Sequence, residues 1–304
     1  MSKPVGEEAI VVGISGPSSS GKTTLARLLQ RVFYGVNPKP RDSRLNTFII
    51  HEDDFYFPDD KIPYTTTPSG EKVQDWDTAS AIDIPFLSQA LSYVREKGRS
   101  LHGYRARKTR TTRLLPACRM SYEKTIAFLE GFLLFAPPRS ESGKEHVLRS
   151  VHDAINLHLF LPAAYELVKA RREGRSGYVT VGAAPEPPVQ TGDGGHGETR
   201  TEVDLNAEDD RPPQNFWVDP PGYVDDVVWP RYVTDHAWLL IAEDEGDKKG
   251  GSQADLVRRV GDGTRARTDV GVEVAPGRGS AGMDVILRWA VELILKYYLD
   301  RTQV

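Results

Sequence analysis

Cysteine is nearly absent: Cys118 is the only one in 304 residues, so no internal disulfide can form and the fold closes on packing alone, as suits a reducing compartment. Long apolar runs are missing too. No stretch approaches the roughly 20 residues that cross a bilayer, and Met1–Glu8 is short and polar, unlike the charged-then-apolar start of a secretory signal. Net positive charge is lacking: 39 Lys and Arg against 43 Asp and Glu leave −4, which excludes an overall basic field for nucleic acid. The seven histidines show no metal-ligand spacing, so no structural metal is expected. These absences lead to the expectation of a cytoplasmic protein, with a nuclear location also open, and with neither a membrane nor a nucleic acid as partner; a monomer or homodimer is expected as well.

What is present begins with Gly16-Pro17-Ser18-Ser19-Ser20-Gly21-Lys22-Thr23, a G-x-x-x-x-G-K-T loop directly after the apolar run Ala9–Ile14. Such a loop points backbone N–H groups at a phosphate chain, and the helix that follows adds the positive end of its dipole. Gly16, Ser18, Ser19, Ser20, Gly21, Lys22, Thr23 and Thr24 are therefore expected to cradle a nucleoside triphosphate. Lys22 would reach the β- and γ-phosphates and the Thr23 hydroxyl would meet Mg²⁺. The absence of an N-K-x-D segment disfavours a guanine-specific GTPase.

The remaining pattern is that of one α/β domain spanning 1–304, with 39% apolar residues. Strands are expected at Ala9–Ser15, Thr47–His51, Thr125–Leu129, Ala154–Phe160 and Ala237–Ala242, making a five-stranded parallel sheet flanked by helices. Helices are expected at Lys22–Phe33, at Ala163–Glu173, near Ala254–Val260 and at Met283–Asp300. Gly182–Pro213 holds ten Gly or Pro, too many to supply a core, so 179–213 reads as a flexible insertion in a lid; 243–282 reads as a second insertion. The basic run Arg95–Arg113 reads as a solvated surface.

Two expected strands end in carboxylates, and in open parallel sheets the ligand crevice lies outside those ends. Asp53, after Thr47–His51, is a base for an acceptor hydroxyl or, with Asp54, a solvated turn cap. Glu130, after Thr125–Leu129, supports the metal or begins the next turn. Arg171, Arg172 and Arg175 complement a helix dipole or form a lid that carries charge onto the γ-phosphate.

The segments GISGPSSSGKTTLARLLQ, IIHEDDFYFPDDKIP, QDWDTASAID, FLEGFLLF and DPPGYVDDVVWPRYV together resemble the nicotinamide riboside kinases, within the uridine kinase and phosphoribulokinase-like P-loop kinases. The resemblance implies a P-loop kinase fold with ATP as co-substrate and Mg²⁺, a small-molecule riboside as partner, and a place in NAD salvage. It implies Lys22, Asp53 and Arg172 as catalytic, Thr23, Asp53 and Glu130 at the metal, and Arg171 and Arg175 on the ATP phosphates. Asp77 would hold the ribose hydroxyls, with Arg172, Phe55 and Asp219 also at the riboside. Trp76 and Tyr178 would face the two sides of a cationic pyridinium ring, an arrangement that favours it over neutral uracil. A uridine- or cytidine-directed kinase and a non-catalytic nucleotide-binding regulator stand as the alternatives.

Overall fold

The computed structural model describes residues 9–34, 45–100, 124–139, 145–175, 177–181, 214–241 and 252–302, with backbone alone at 178–181, 214–216 and 301–302. Cys118, most of the basic run, the body of the 179–213 insertion and residues 242–251 lie outside them. In chain order the elements are β1 (Ala9–Ser15), α1 (Lys22–Phe33), β2 (Asn46–His51), the hairpin β3 (Tyr64–Thr66) and β4 (Lys72–Gln74), α2 (Ile84–Lys97), β5 (Thr125–Gly131), α3 (Arg149–Ala154), β6 (Leu157–Phe160), α4 (Tyr165–Glu173), the hairpin β7 (Tyr178–Val181) and β8 (Gln214–Trp217), α5 (Trp229–Leu240), α6 (Gln253–Val260), β9 (Glu273–Val274) and α7 (Met283–Thr302).

The expected α/β architecture is the one found: a five-stranded sheet in the order β2-β5-β1-β6-β9, parallel throughout. β1 is central and buried at every position. Both its faces are covered, which is why its sequence is a continuous aliphatic run rather than an alternation. Ile10, Val12 and Ile14 pack with Leu25 and Leu29 of α1 and Ala290 and Ile294 of α7. Ala9 and Val11 face the other way, into a core with Leu87 and Leu91 of α2, Val151 of α3 and Val233 of α5. Each fully buried aliphatic side chain contributes about 1.5–3 kcal/mol. Gly13 is the point of closest approach, since a Cβ there would lie 2.8 Å from Ile155 Cδ1.

Helix ends are set by local chemistry. The Asp83 side chain accepts the Phe86 N–H at 3.0 Å to open α2, and Gly98 closes it in the left-handed conformation. α6 opens on a reciprocal Ser252–Asp255 capping box.

The fifth strand is not where the sequence suggested. Ala237–Leu240 is the end of α5, and β9 takes the strand position beside β6, pairing Leu159 with Glu273 and Phe160 with Val274. A short apolar run does not distinguish strand from buried helix by period. Tyr232, Val233, His236, Leu239 and Leu240 are all buried, which extends a helical spacing back to Trp229. Residues 252–282 likewise do not loop out as an insertion: they supply α6, β9 and the buried Val260, Val272 and Ala275. Ala154–Asn156, expected as strand, ends α3 and turns into β6. Among the described residues no helix is long and apolar enough to cross a membrane.

Candidate active site

The C-terminal ends of β1, β2, β5 and β6 open onto a cavity of about 740 Å³. The 18–24 loop lines one end; Tyr56, Trp76, Asp77, Phe132 and Trp217 line the other. Asp53, Glu130 and Arg171, Arg172 and Arg175 line it as well, and a third side comes from Ala275, Pro276 and residues 279–283.

The loop is shaped by backbone conformations that side chains resist. Gly16 has φ +151° and a Cβ there would sit 2.3 Å from the Leu161 carbonyl oxygen, so the chain can leave β1 this close to β6 only as glycine. Ser19, at φ 62°, adopts the left-handed region without being glycine. α1 begins after Gly21 with no side-chain cap, leaving its first N–H groups for another acceptor. The Ser19 and Ser20 hydroxyls are buried without a hydrogen-bond partner among the described residues. A ligand rich in acceptor oxygens satisfies both deficits.

Lys22 donates to the Pro17 carbonyl at 2.8 Å. Burial lowers its pKa, while the charges of Glu130 and Asp53 oppose that shift. Thr23 Oγ1 donates to Glu130 Oε1 at 3.1 Å, and His51 Nδ1 donates to the same oxygen at 2.5 Å. Burial would lower the pKa of His51, but the hydrogen bond and charge of Glu130 outweigh it and the net shift is upward. Thr23, Glu130 and Asp53 thus bring one hydroxyl and two carboxylates to the loop. Oxygen donors of this kind suit Mg²⁺, which dehydrates reluctantly and keeps several waters. Among the described residues no group of three or more His, Cys, Asp or Glu could hold a metal ion.

Glu52 braces this corner. It is fully buried, and its Oε2 accepts the N–H groups of Phe132 at 2.6 Å and Leu133 at 3.1 Å. Burial pushes its pKa up to about 8, the amide bonds opposing and the Asp53 charge adding to the rise. Gly131 makes the contact possible, since a Cβ there would lie 2.3 Å from Glu52 Oε2.

At the other end Arg172 is gripped by two carboxylates. Its Nη1 and Nη2 donate to Asp77 Oδ1 and Oδ2 at 2.8 and 3.0 Å; its Nε and Nη2 donate to Asp219 Oδ2 and Oδ1 at 2.6 and 3.2 Å. Burial raises the Asp77 pKa and Arg172 opposes the rise. Trp217 Nε1 donates to Asp219 Oδ1 at 3.0 Å. The Trp76 ring lies 5.7 Å from that of Trp217 and 5.4 Å from that of Tyr56, which stacks with Phe132 at 6.4 Å.

The chain aligns with the nicotinamide riboside kinase of Schizosaccharomyces pombe at 26% identity over 252 residues, 78% of this chain and 83% of the relative. The Saccharomyces cerevisiae nicotinamide riboside kinase matches at 25% over 259 residues, 80% and 83%. Human nicotinamide riboside kinase 1 matches at 26% over 259 residues, 83% and 90%. The chain is similar to nicotinamide riboside kinases over about four-fifths of its length. These relatives support a kinase enzyme. No family model matches. Among solved structures, a putative fructose transport system kinase from Silicibacter aligns with a TM-score of 0.35 at 13% identity, covering 57% of this chain and 74% of that one. A possible uridine kinase from Bacillus stearothermophilus aligns at 0.30 and 16%, covering 52% and 72%.

Most residues singled out from the sequence converge on this cavity. Ser18 through Thr24, Asp53, Trp76, Asp77, Glu130, Arg171, Arg172 and Arg175 line it; Arg171 also donates to the Ser19 carbonyl at 3.0 Å. Asp53 lines the wall whereas Asp54 is buried away from it. Gly16 shapes the loop from behind, and Asp219 stands behind Arg172 rather than on the wall. Phe55 does not line the cavity: it is 2% exposed, belongs to the main core and lies 5.5 Å from the exposed Phe86 ring, because the 3₁₀ turn Glu52–Phe55 sends successive side chains in different directions. Tyr178 pairs through its backbone with Trp217, and its side chain lies outside the described residues. His51, Glu52, Tyr56, Phe132 and Trp217 were missed. The available signal was a polar residue, His51, closing a buried strand beside Asp53, and an apolar FWV run just before Asp219.

Proposed function

We propose that the protein transfers the γ-phosphoryl group of ATP to the 5′-hydroxyl of nicotinamide riboside, forming nicotinamide mononucleotide in NAD salvage. One observation carries the reading: a single cavity joins a phosphate-binding loop to a carboxylate–arginine pair and an aromatic wall, with Asp53 on its lining. The named relatives, nicotinamide riboside kinases aligned over about four-fifths of the chain, support it.

Mg²⁺, held by Thr23, Glu130 and Asp53, would neutralise charge on the phosphates. The loop N–H groups and Lys22 bind the phosphate chain and fix its direction. Arg171 and Arg175 add positive charge from the α4 side. Asp77 keeps lone pairs beyond those used by Arg172 and accepts from the ribose hydroxyls. Trp76 and Trp217 line this end, and an aromatic face against the ring would stabilise a delocalised cation by about 0.5–2 kcal/mol when desolvated. Asp53 accepts the proton of the 5′-hydroxyl as it attacks. Because phosphoryl transfer is mostly positioning and electrostatics, nothing further is asked of the protein.

The test is ADP release with nicotinamide riboside beside uridine and cytidine, with the product identified by mass spectrometry. Preference for nicotinamide riboside is expected. Preference for uridine or cytidine overturns the cationic acceptor, and ATP binding without transfer to any riboside overturns the enzyme.

A further inference from the structure

Tyr223 does not line the cavity, yet it meets Trp76, Arg172 and Trp217 at the acceptor end. Its hydroxyl accepts the Trp76 N–H at 3.0 Å and donates to the Gln74 carbonyl at 2.9 Å. Its ring lies 5.6 Å from the Arg172 guanidinium carbon and 6.2 Å from the Trp217 ring. The residue is 2% exposed, and burial, with the Asp77 charge, raises its pKa, so the hydroxyl stays protonated and can donate and accept at once. The chain reaches this place through a tight turn: Gly222 takes φ +79° and the Tyr223 N–H donates to the Pro220 carbonyl at 3.0 Å.

The strut answers a local weakness. Gln74–Asp77 leaves a hairpin whose strands are three residues each, and an isolated two-stranded ribbon of that size is marginal in water. Trp76 is instead tied on both sides, its N–H by Tyr223 and its carbonyl by the Tyr56 hydroxyl at 2.8 Å. Arg172, gripping Asp77, rests against the same tyrosine ring.

We propose that Tyr223 is a positioning residue that fixes Trp76 and Asp77 against Arg172, and so sets riboside affinity without touching the riboside. The kinetic part rests on the riboside kinase reading above; the exchange part does not. In Tyr223→Phe the ring and its packing remain and only the hydroxyl goes. Amide exchange at Trp76 should then accelerate by about tenfold, and the riboside KM should rise roughly five- to tenfold, as loss of the buried hydrogen bond from the Trp76 N–H implies. The ATP KM should stay within about twofold, a split that a general loss of packing does not produce. In the unmodified protein the Trp76 amide should already be among the slowly exchanging ones.

Fast exchange at Trp76 in the unmodified protein overturns the strut, as does exchange unchanged in Tyr223→Phe, or riboside and ATP KM rising in step. If the unmodified enzyme prefers uridine, the nicotinamide reading falls, and the same split measured with uridine still decides the role of Tyr223.

Discussion

The two ends of the cavity are built by opposite means. The loop end is local: eight consecutive residues, two glycines in otherwise forbidden conformations and a helix start make a cradle from backbone. The acceptor end is assembled from side chains far apart in the chain, with Asp77 and Arg172 95 positions apart and Trp76 and Tyr223 147 apart. Backbone recognition suits phosphate, which offers the same oxygens whatever it is attached to. Side-chain lattices suit a particular ring and sugar, and they depend on many partners being in place at once.

The comparison breaks most sharply at the boundary between the ends. Asp53→Ala should lower kcat by about 10²–10⁴, the usual worth of a positioned base, while ATP affinity measured by calorimetry changes little. A near-normal kcat would remove Asp53 from the chemistry. Next comes Arg172→Lys, which keeps the charge but cannot serve two carboxylates with one fork. Riboside kcat/KM should fall about 10- to 100-fold, and the melting midpoint should drop, since a buried carboxylate left short of donors costs about 1–3 kcal/mol. Equal loss of ATP binding would mean that the arginine belongs to the loop end instead. Trp217→Ala is a finer probe: the ratio of riboside KM values, nicotinamide against uridine, should shift by about 2- to 30-fold toward uridine. A uniform loss for both substrates would make Trp217 a packing residue.

The smallest effect should fall on neither end. His236 in α5 is buried against Tyr232 and Phe160, and burial lowers its pKa to about 4 from an ordinary value near 6.5. Protonation therefore favours the unfolded chain: this contribution is intact above about pH 6.5 and is lost as pH falls toward 4. Melting midpoints taken between pH 7 and pH 4.5 should fall by a few degrees, and His236→Phe should flatten that slope. An unchanged slope would assign acid sensitivity elsewhere.

Legibility in the sequence follows the same division. β1, the loop and α1 were readable because their determinants are neighbours in the chain: an aliphatic run, two glycines, then Leu25 and Leu29 at helical spacing. Asp53 and Glu130 followed because strand ends in a parallel sheet converge. β9 was not readable, since two residues carry no period and their strand conformation is imposed by β6. Trp217 and Tyr223 were missed as site residues for a related reason: nothing within a few positions of either says that Trp76 will lie beside it. Glu52 was hidden inside an acidic run, where nothing local says that its carboxylate will accept the Phe132 N–H at 2.6 Å.

The antiparallel pairing of Tyr178–Val181 with Gln214–Trp217 clamps the two ends of the 182–213 segment together. The span between Arg175 and Asp219 is thereby independent of how many residues lie between Val181 and Gln214. Loop-closure entropy grows only logarithmically, about 0.6 kcal/mol for each doubling of length. The far end of this hairpin is therefore a natural graft point: a reporter or affinity domain spliced between residues 182 and 213 would ride on the enzyme while the arginine and its two carboxylates keep their spacing.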